Sequence, residues 1–211
     1  MTEKVQHGIY PPTANGLSAM ECLSAMQKCI RRNMEREAME FACELLHSAD
    51  GQTGRNKNWF MSLVLNRLEI VCHEDIDTMR MPEIVAYVRS CCATARDQWN
   101  PNNPAKTRMC VGNAIRMMSR APKSREGCHF QAAVGFRSWT EGYVPEIPDW
   151  AIDQHTLRGK RLGLGMDHFR TEGCKLVPPA QPDKYENEAY HRWDVRDGNK
   201  PTEEQNNGVV H

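Results

Sequence analysis

No stretch of this chain is apolar for the about 20 residues that a membrane-crossing helix needs. Its opening, MTEKVQHGIYPPTANG, has no apolar core of a secretion signal. The expectation is therefore a protein that is not secreted, with no membrane partner, residing in the cytoplasm or at the nucleoid or nucleus. Net charge is also missing: Lys+Arg and Asp+Glu number 27 each in 211 residues. No global field draws the chain to nucleic acid, so any such surface has to be local. The 9 cysteines are odd in number and contain no CxxC pair, which argues against a disulfide framework and a structural zinc site and for reduced, buried thiols.

Catalytic signatures are absent as well. Gly159-Lys160 is followed by Arg161 rather than Ser or Thr and has no strand before it, so a Walker loop is excluded. Gly163-Leu164-Gly165 is only the front of a dinucleotide fingerprint and lacks the third glycine and the downstream acid. No GxSxG elbow occurs, and Cys128-His129, neighbours in sequence, diverge on a helix. No catalytic residue and no cofactor is expected.

What remains is helical periodicity. Apolar positions recur at three- and four-residue steps over 18–32, with Ser18 as the cap, over 35–46 after a break at Asn33, and over 59–72. Residues 81–97, 105–119 and 124–139 continue the pattern, and no run of alternating β-branched residues competes. The expected fold is all-α: an orthogonal bundle of about six main helices, then a Gly/Pro-rich segment with short helices at 149–158 and 164–172, then an extended C-terminal tail. The expected boundaries are an extended arm over 1–16, a helical domain over 17–176 and a partly disordered tail over 177–211.

Two clusters hold candidate chemistry. Cations gather around the 120s (Arg116, Arg120, Lys123, Arg125) and again at Arg158, Lys160, Arg161 and Arg170. Trp139, Trp150 and Phe169 lie near them in sequence. Cations interleaved with aromatics can hold phosphates and stack bases; a solvated face is the plainer reading. The second cluster is Asp153, His155 and His168, which can be joined by His73, Asp75 and Asp77 of HEDID as ligands of zinc or iron. Against that, residues two apart do not share a helix face. Asp before a helix caps it, and the acids of HEDID can cap the next helix or bind an Arg. Gly159, Gly163 and Gly165 read as a turn between helices, with glycine supplying positive φ.

These residues also carry a resemblance. LSAMQKCIRRNMEREAMEFACELL resembles the helix pair opening the C-terminal region of the AAA+ family of replication-associated recombination protein A and Werner-helicase-interacting proteins. NRLEIVCHEDID is similar to that family's Ser-Glu-Asp-Ile-Gly segment through Glu74, Asp75 and Ile76. AIRMMSRAPKSREG is similar to its Ala-Pro-Lys-Ser-Asn segment through Ala121, Pro122, Lys123 and Ser124. VPEIPDWAIDQHTLRGKRLGLGMDHF sits where the family has a basic residue and a Gly-Tyr-Gly turn. The likeness runs in patches over 17–170. It departs in WNPNNPAK, in the 56–59 loop, at His155 and His168, and in having no ATPase domain.

The resemblance implies an all-helical module that associates into oligomers beside a motor at replication forks, without catalytic residues. The function so implied is a non-catalytic DNA replication, recombination or repair module acting by self-association and by partner or nucleic-acid contact. A homo-oligomer, DNA and a separate replication or repair ATPase are its candidate partners, and Lys123, Arg125, Arg158, Lys160 and Arg161 its candidate phosphate contacts. The rivals are a metal-dependent enzyme using Asp153, His155 and His168, and a structural subunit of a larger assembly, for which the methionines would supply adaptable contacts.

Overall fold

The computed structural model describes residues 11–48, 58–181, 183–196 and 198. Most of the expected N-terminal arm, most of the SADGQTGRNKN loop and the PTEEQNNGVVH end fall outside them. Among the described residues every regular element is a helix or helical turn, and the only extended pairings are two isolated bridges. Among the described residues no helix is long and apolar enough to cross a membrane. The chain divides into two units, the first ending at Tyr143 and the second beginning at Val144.

The first unit holds α1 (Ala19–Arg31), α2 (Glu35–His47), α3 (Trp59–Asp75), α4 (Glu83–Asp97), α5 (Ala105–Arg120), α6 (Glu126–Gly135) and α7 (Arg137–Thr140). Ser18 starts α1 by accepting the Glu21 amide on its hydroxyl at 3.4 Å, as the sequence pattern predicts. Asn33 reverses the chain: it sits at φ 62, and the Met34 amide reaches back to the Cys29 carbonyl at 2.9 Å. Asn tolerates this left-handed position better than most side chains because it is short and polar. Before α1, residues 12–18 form a docked turn rather than a free arm. Thr13 is buried, its hydroxyl accepts the Leu17 amide at 2.9 Å, and the Ala14 amide donates to Ser48 Oγ at 2.8 Å.

The core explains the order of packing. α1 lies on α2 and α4 on α5, with α3 in contact with both pairs. α3 therefore buries Phe60, Val64, Leu65, Leu68, Val71 and Cys72 around much of its circumference. The facing sides are Leu23, Met26 and Ile30 of α1, Ala38, Leu45 and Leu46 of α2, Ile84 and Val88 of α4, and Ile115 and Met118 of α5. Thr107, fully buried, resolves its hydroxyl by donating to the Ala95 carbonyl at 3.0 Å.

The second unit is built of small pieces: a 3-10 turn at Asp149–Ala151, α8 (Leu157–Arg161), α9 (Met166–His168) running into a π turn over Phe169–Gly173, and α10 (Glu186–Arg196). Two sequence expectations change. The division falls at Tyr143/Val144 rather than after 176, because Gly142 at φ 64 and the prolines of VPEIP break the helical chain there. The segment expected to be extended contains α10, which the part-buried pair Arg170–Asp194, at 2.9 Å, ties to the π turn.

Phe60 lies at the centre of this packing, so Phe60→Ala is expected to cost about 3–5 kcal/mol, read as a lower urea midpoint at unchanged slope. All nine cysteines are free thiols, and burial pushes Cys72 up to about 11 and Cys92 up to about 12. A thiol reagent at pH 8 should therefore modify these two only on unfolding, which peptide mapping of native and urea-treated protein checks.

Candidate functional site

The segments HEDID and APKS meet in space. Ile76 pairs with Lys123 in an isolated antiparallel bridge, the Asp77 amide donates to the Pro122 carbonyl at 2.9 Å, and the Ser124 amide to the Asp75 carbonyl at 3.2 Å. Beside this clasp lies the Asp75 carboxylate, whose side chain is fully buried. A charge in that position has to be matched by donors. Arg31 binds it in a fork, Nε to Oδ1 at 2.8 Å and Nη2 to Oδ2 at 3.0 Å. Gln27 Nε2 adds bonds to Asp75 Oδ2 at 2.9 Å and Glu74 Oε2 at 2.6 Å. Arg67 Nη1 donates to Gln27 Oε1 at 3.0 Å, and Arg125 Nε stands 3.7 Å from Asp75 Oδ1. The acids of HEDID thus bind an Arg and cap a turn: Asp77 Oδ1 accepts the Arg80 amide at 3.2 Å. Asp75 is inward and committed, while His73 is exposed, so neither joins a metal-ligand cluster.

Lys123, expected as a phosphate contact, caps a helix. Its ammonium reaches the carbonyls of Met118 at 2.9 Å, Ser119 at 2.7 Å and Ala121 at 2.8 Å, and Asn33 Oδ1 at 2.8 Å. Three protons facing four acceptors leave no N–H for a ligand, and a cation at the C-terminus of α5 complements its carbonyls. Burial pushes its pKa down, with the Asp75 charge acting the other way. Arg125 is exposed but leans on Asp75 and donates to Cys128 Sγ at 3.1 Å.

In the second unit Asp153 organises the turn that the sequence singles out. Its Oδ1 accepts the His155 amide at 2.9 Å, its Oδ2 lies 3.1 Å from His155 Nδ1, and its carbonyl accepts the Thr156 amide and hydroxyl. The His155 ring and backbone bonds pull the Asp153 pKa down. Thr156 then caps α8 by accepting the Gly159 amide at 2.9 Å. His155 meets Phe169 edge-on with centroids 4.9 Å apart, and His168 Nδ1 is buried without a protein partner. Asp153 and His155 do converge, on irregular backbone, but as a turn. Among the described residues no group of three or more His, Cys, Asp or Glu is arranged to hold a metal ion, so the Asp153, His155, His168 ligand set lacks its geometry.

Arg158, Lys160 and Arg161 are exposed on α8, with no ion pair among the described residues. The glycines divide their roles. Gly163 takes the positive φ expected of it, at 72, whereas Gly165 does not. Gly159 is helical and is glycine because a Cβ would overlap the Asp153 carbonyl.

One feature was not singled out from the sequence. α6 and α7 bury no residue, yet 127–136 (GCHFQAAVGF) carries no formal charge. Phe130, Val134, Phe136 and Trp139 are exposed at 68%, 53%, 42% and 81%, and the Phe136 and Trp139 rings stack at 5.4 Å. Arg137 lies over the Tyr143 ring at 3.8 Å. The available signal was the missing polar face of 127–136, which periodicity read as core.

Compared with known proteins, the chain matches no family model and no curated protein sequence.

Removing the buried carboxylate strands Arg31 and Gln27, so Asp75→Ala is expected to cost about 3–5 kcal/mol. Lys123→Ala, losing only a cap, should cost about 1–2 kcal/mol. Denaturant titration of the two variants beside the parent protein tests that order.

Proposed function

We propose that this protein is a non-catalytic module of DNA replication, recombination or repair that works by self-association through the α6–α7 face, with Arg158, Lys160 and Arg161 of α8 as its nucleic-acid contacts. The observation that carries the reading is the exposure of four large apolar side chains close together in sequence, Phe130, Val134, Phe136 and Trp139, in and beside the uncharged stretch 127–136. At their stated exposures the three aromatic rings alone present roughly 400 Å² of apolar surface. That is about half of what each partner buries in a standard interface, and near the largest apolar patch of a typical monomer. Apolar side chains can pack against the same side chains of a second copy, and a two-fold interface joins such a patch to itself. The fork-side setting rests on the resemblance through Glu74–Ile76 and Ala121–Ser124. The α8 cations support it as three exposed cations within one turn of helix.

Sedimentation or light scattering at micromolar concentration should find the parent protein as an oligomer. Trp139→Asp and Phe130→Asp should run as monomers with an unchanged helical spectrum, since neither side chain is in the core. A monomeric parent protein overturns the self-association. For nucleic acid, affinity for single- and double-stranded DNA should fall steeply with salt and weaken when Arg158, Lys160 and Arg161 are all changed to Ala, while Lys123→Ala leaves it unaltered. Absent or salt-insensitive binding overturns that part.

A further inference from the structure

The stretch VPEIPDW over 144–150 repeats in threes: Val144, Ile147 and Trp150 are large and apolar, Pro145 and Pro148 follow the first two, and Glu146 and Asp149 come third. A proline fixes its own φ and drives the residue before it out of the helical region, so Val144, Pro145, Ile147 and Pro148 are all held extended. Pro148 stands at φ −70 and ψ 153, the backbone of a polyproline II helix. That helix has about three residues per turn, which places Val144 and Ile147 on one edge, the prolines on a second and the acids on a third.

Among the described residues nothing covers this segment. Every residue from 141 to 151 is exposed, with Val144, Ile147 and Trp150 at 79%, 68% and 67%. The backbone of 144–147 makes no hydrogen bond among the described residues. Pro145-Glu146-Ile147-Pro148 has the PxxP spacing, with an apolar residue before each proline, and aromatic-lined grooves read such a peptide. The prolines have already removed much of the chain's freedom, so docking it orders little more. Charge defines the rim of the groove. Glu146 and Asp149 form no ion pair among the described residues, and no Lys or Arg occurs from 141 to 157. Two unmatched acids repel an acidic rim and attract a cationic one.

We infer that residues 144–150 are a docking peptide for a partner protein whose groove is lined by aromatic rings and rimmed by cations. The segment includes neither the α6–α7 face nor the α8 cations, so the inference stands apart from the function proposed above.

Calorimetric titration of the full chain tests it with two probes: an SH3 domain, whose aromatic groove has an acidic rim, and the same domain with its rim acids changed to Lys. The Lys-rimmed domain should bind at micromolar concentration, about fivefold or more tighter than the acid-rimmed one. Pro145→Ala with Pro148→Ala should weaken that binding about tenfold or more, since it removes both the proline contacts and the preset backbone. Glu146→Lys with Asp149→Lys should reverse the preference between the two domains, a readout that the unaltered domain also carries. Trp139→Asp should bind as the parent does, which separates this segment from the α6–α7 face. All these side chains are exposed, so each variant should keep the helical spectrum of the parent. The inference is overturned if neither domain binds at millimolar concentration, or if the double proline variant binds as the parent does. If that variant instead lowers the oligomeric state while neither domain binds the parent, the segment serves contacts between copies of this chain and the inference falls.

Discussion

The first unit depends on one buried carboxylate. Asp75 ends α3 with its charge out of water, and a charge there is tolerated only while its donors stay in place. Arg31 and Gln27 come from α1, Arg125 from the approach to α6, and Arg67 reaches the same network from α3 through Gln27. The apolar core can accept sliding of one helix on another at modest cost, but a forked Arg–carboxylate pair cannot. Asp75 thus sets the register of α1 against α3. Through the Asp77–Pro122 and Ser124–Asp75 backbone bonds it also sets where α6 departs. The exposed aromatic face is held in a defined place by a buried ionic one.

The second unit is held differently. It has little apolar burial: among the described residues Ile152 is its buried hydrophobic residue. Order there comes from local polar closure: an aspartate turn at 153–156, a glycine admitting the close approach of α8 to Asp153, and the Arg170–Asp194 pair joining the π turn to α10. Such bonds shape a surface more than they stabilise a core.

The helices of the first unit were legible because burial on one side writes a three-to-four-residue rhythm into the sequence. Ser18, Asn33 and the ends of α3 and α4 were readable to within a few residues for the same reason. Position-specific chemistry was less so. HEDID could be read as binding an Arg, and does, but that the Arg is Arg31 depends on α1 crossing α3, which no local pattern encodes. Lys123 read as a free cation because its acceptors are main-chain carbonyls that every residue carries. The apolar spacing of 124–139 is the same whether it meets the core or solvent, so periodicity alone does not reveal its exposure. α10 was missed because its burial is confined to Asp194 and half-buried neighbours, leaving a weak rhythm behind a proline-rich approach.

The clasp between Asp75–Asp77 and Pro122–Ser124 also turns α4 and α5 into a closed excursion: the chain leaves the clasp, runs out along α4, returns along α5 and is fastened where it began. The far tip of that excursion is WNPNNPAK, the proline- and asparagine-rich connection between the two helices. Lengthening a tethered loop costs little, about 0.6 kcal/mol for each doubling. The hairpin is thus an interchangeable arm, and variation in its reach can accumulate at the tip while the two fastened ends hold the rest of the bundle unchanged.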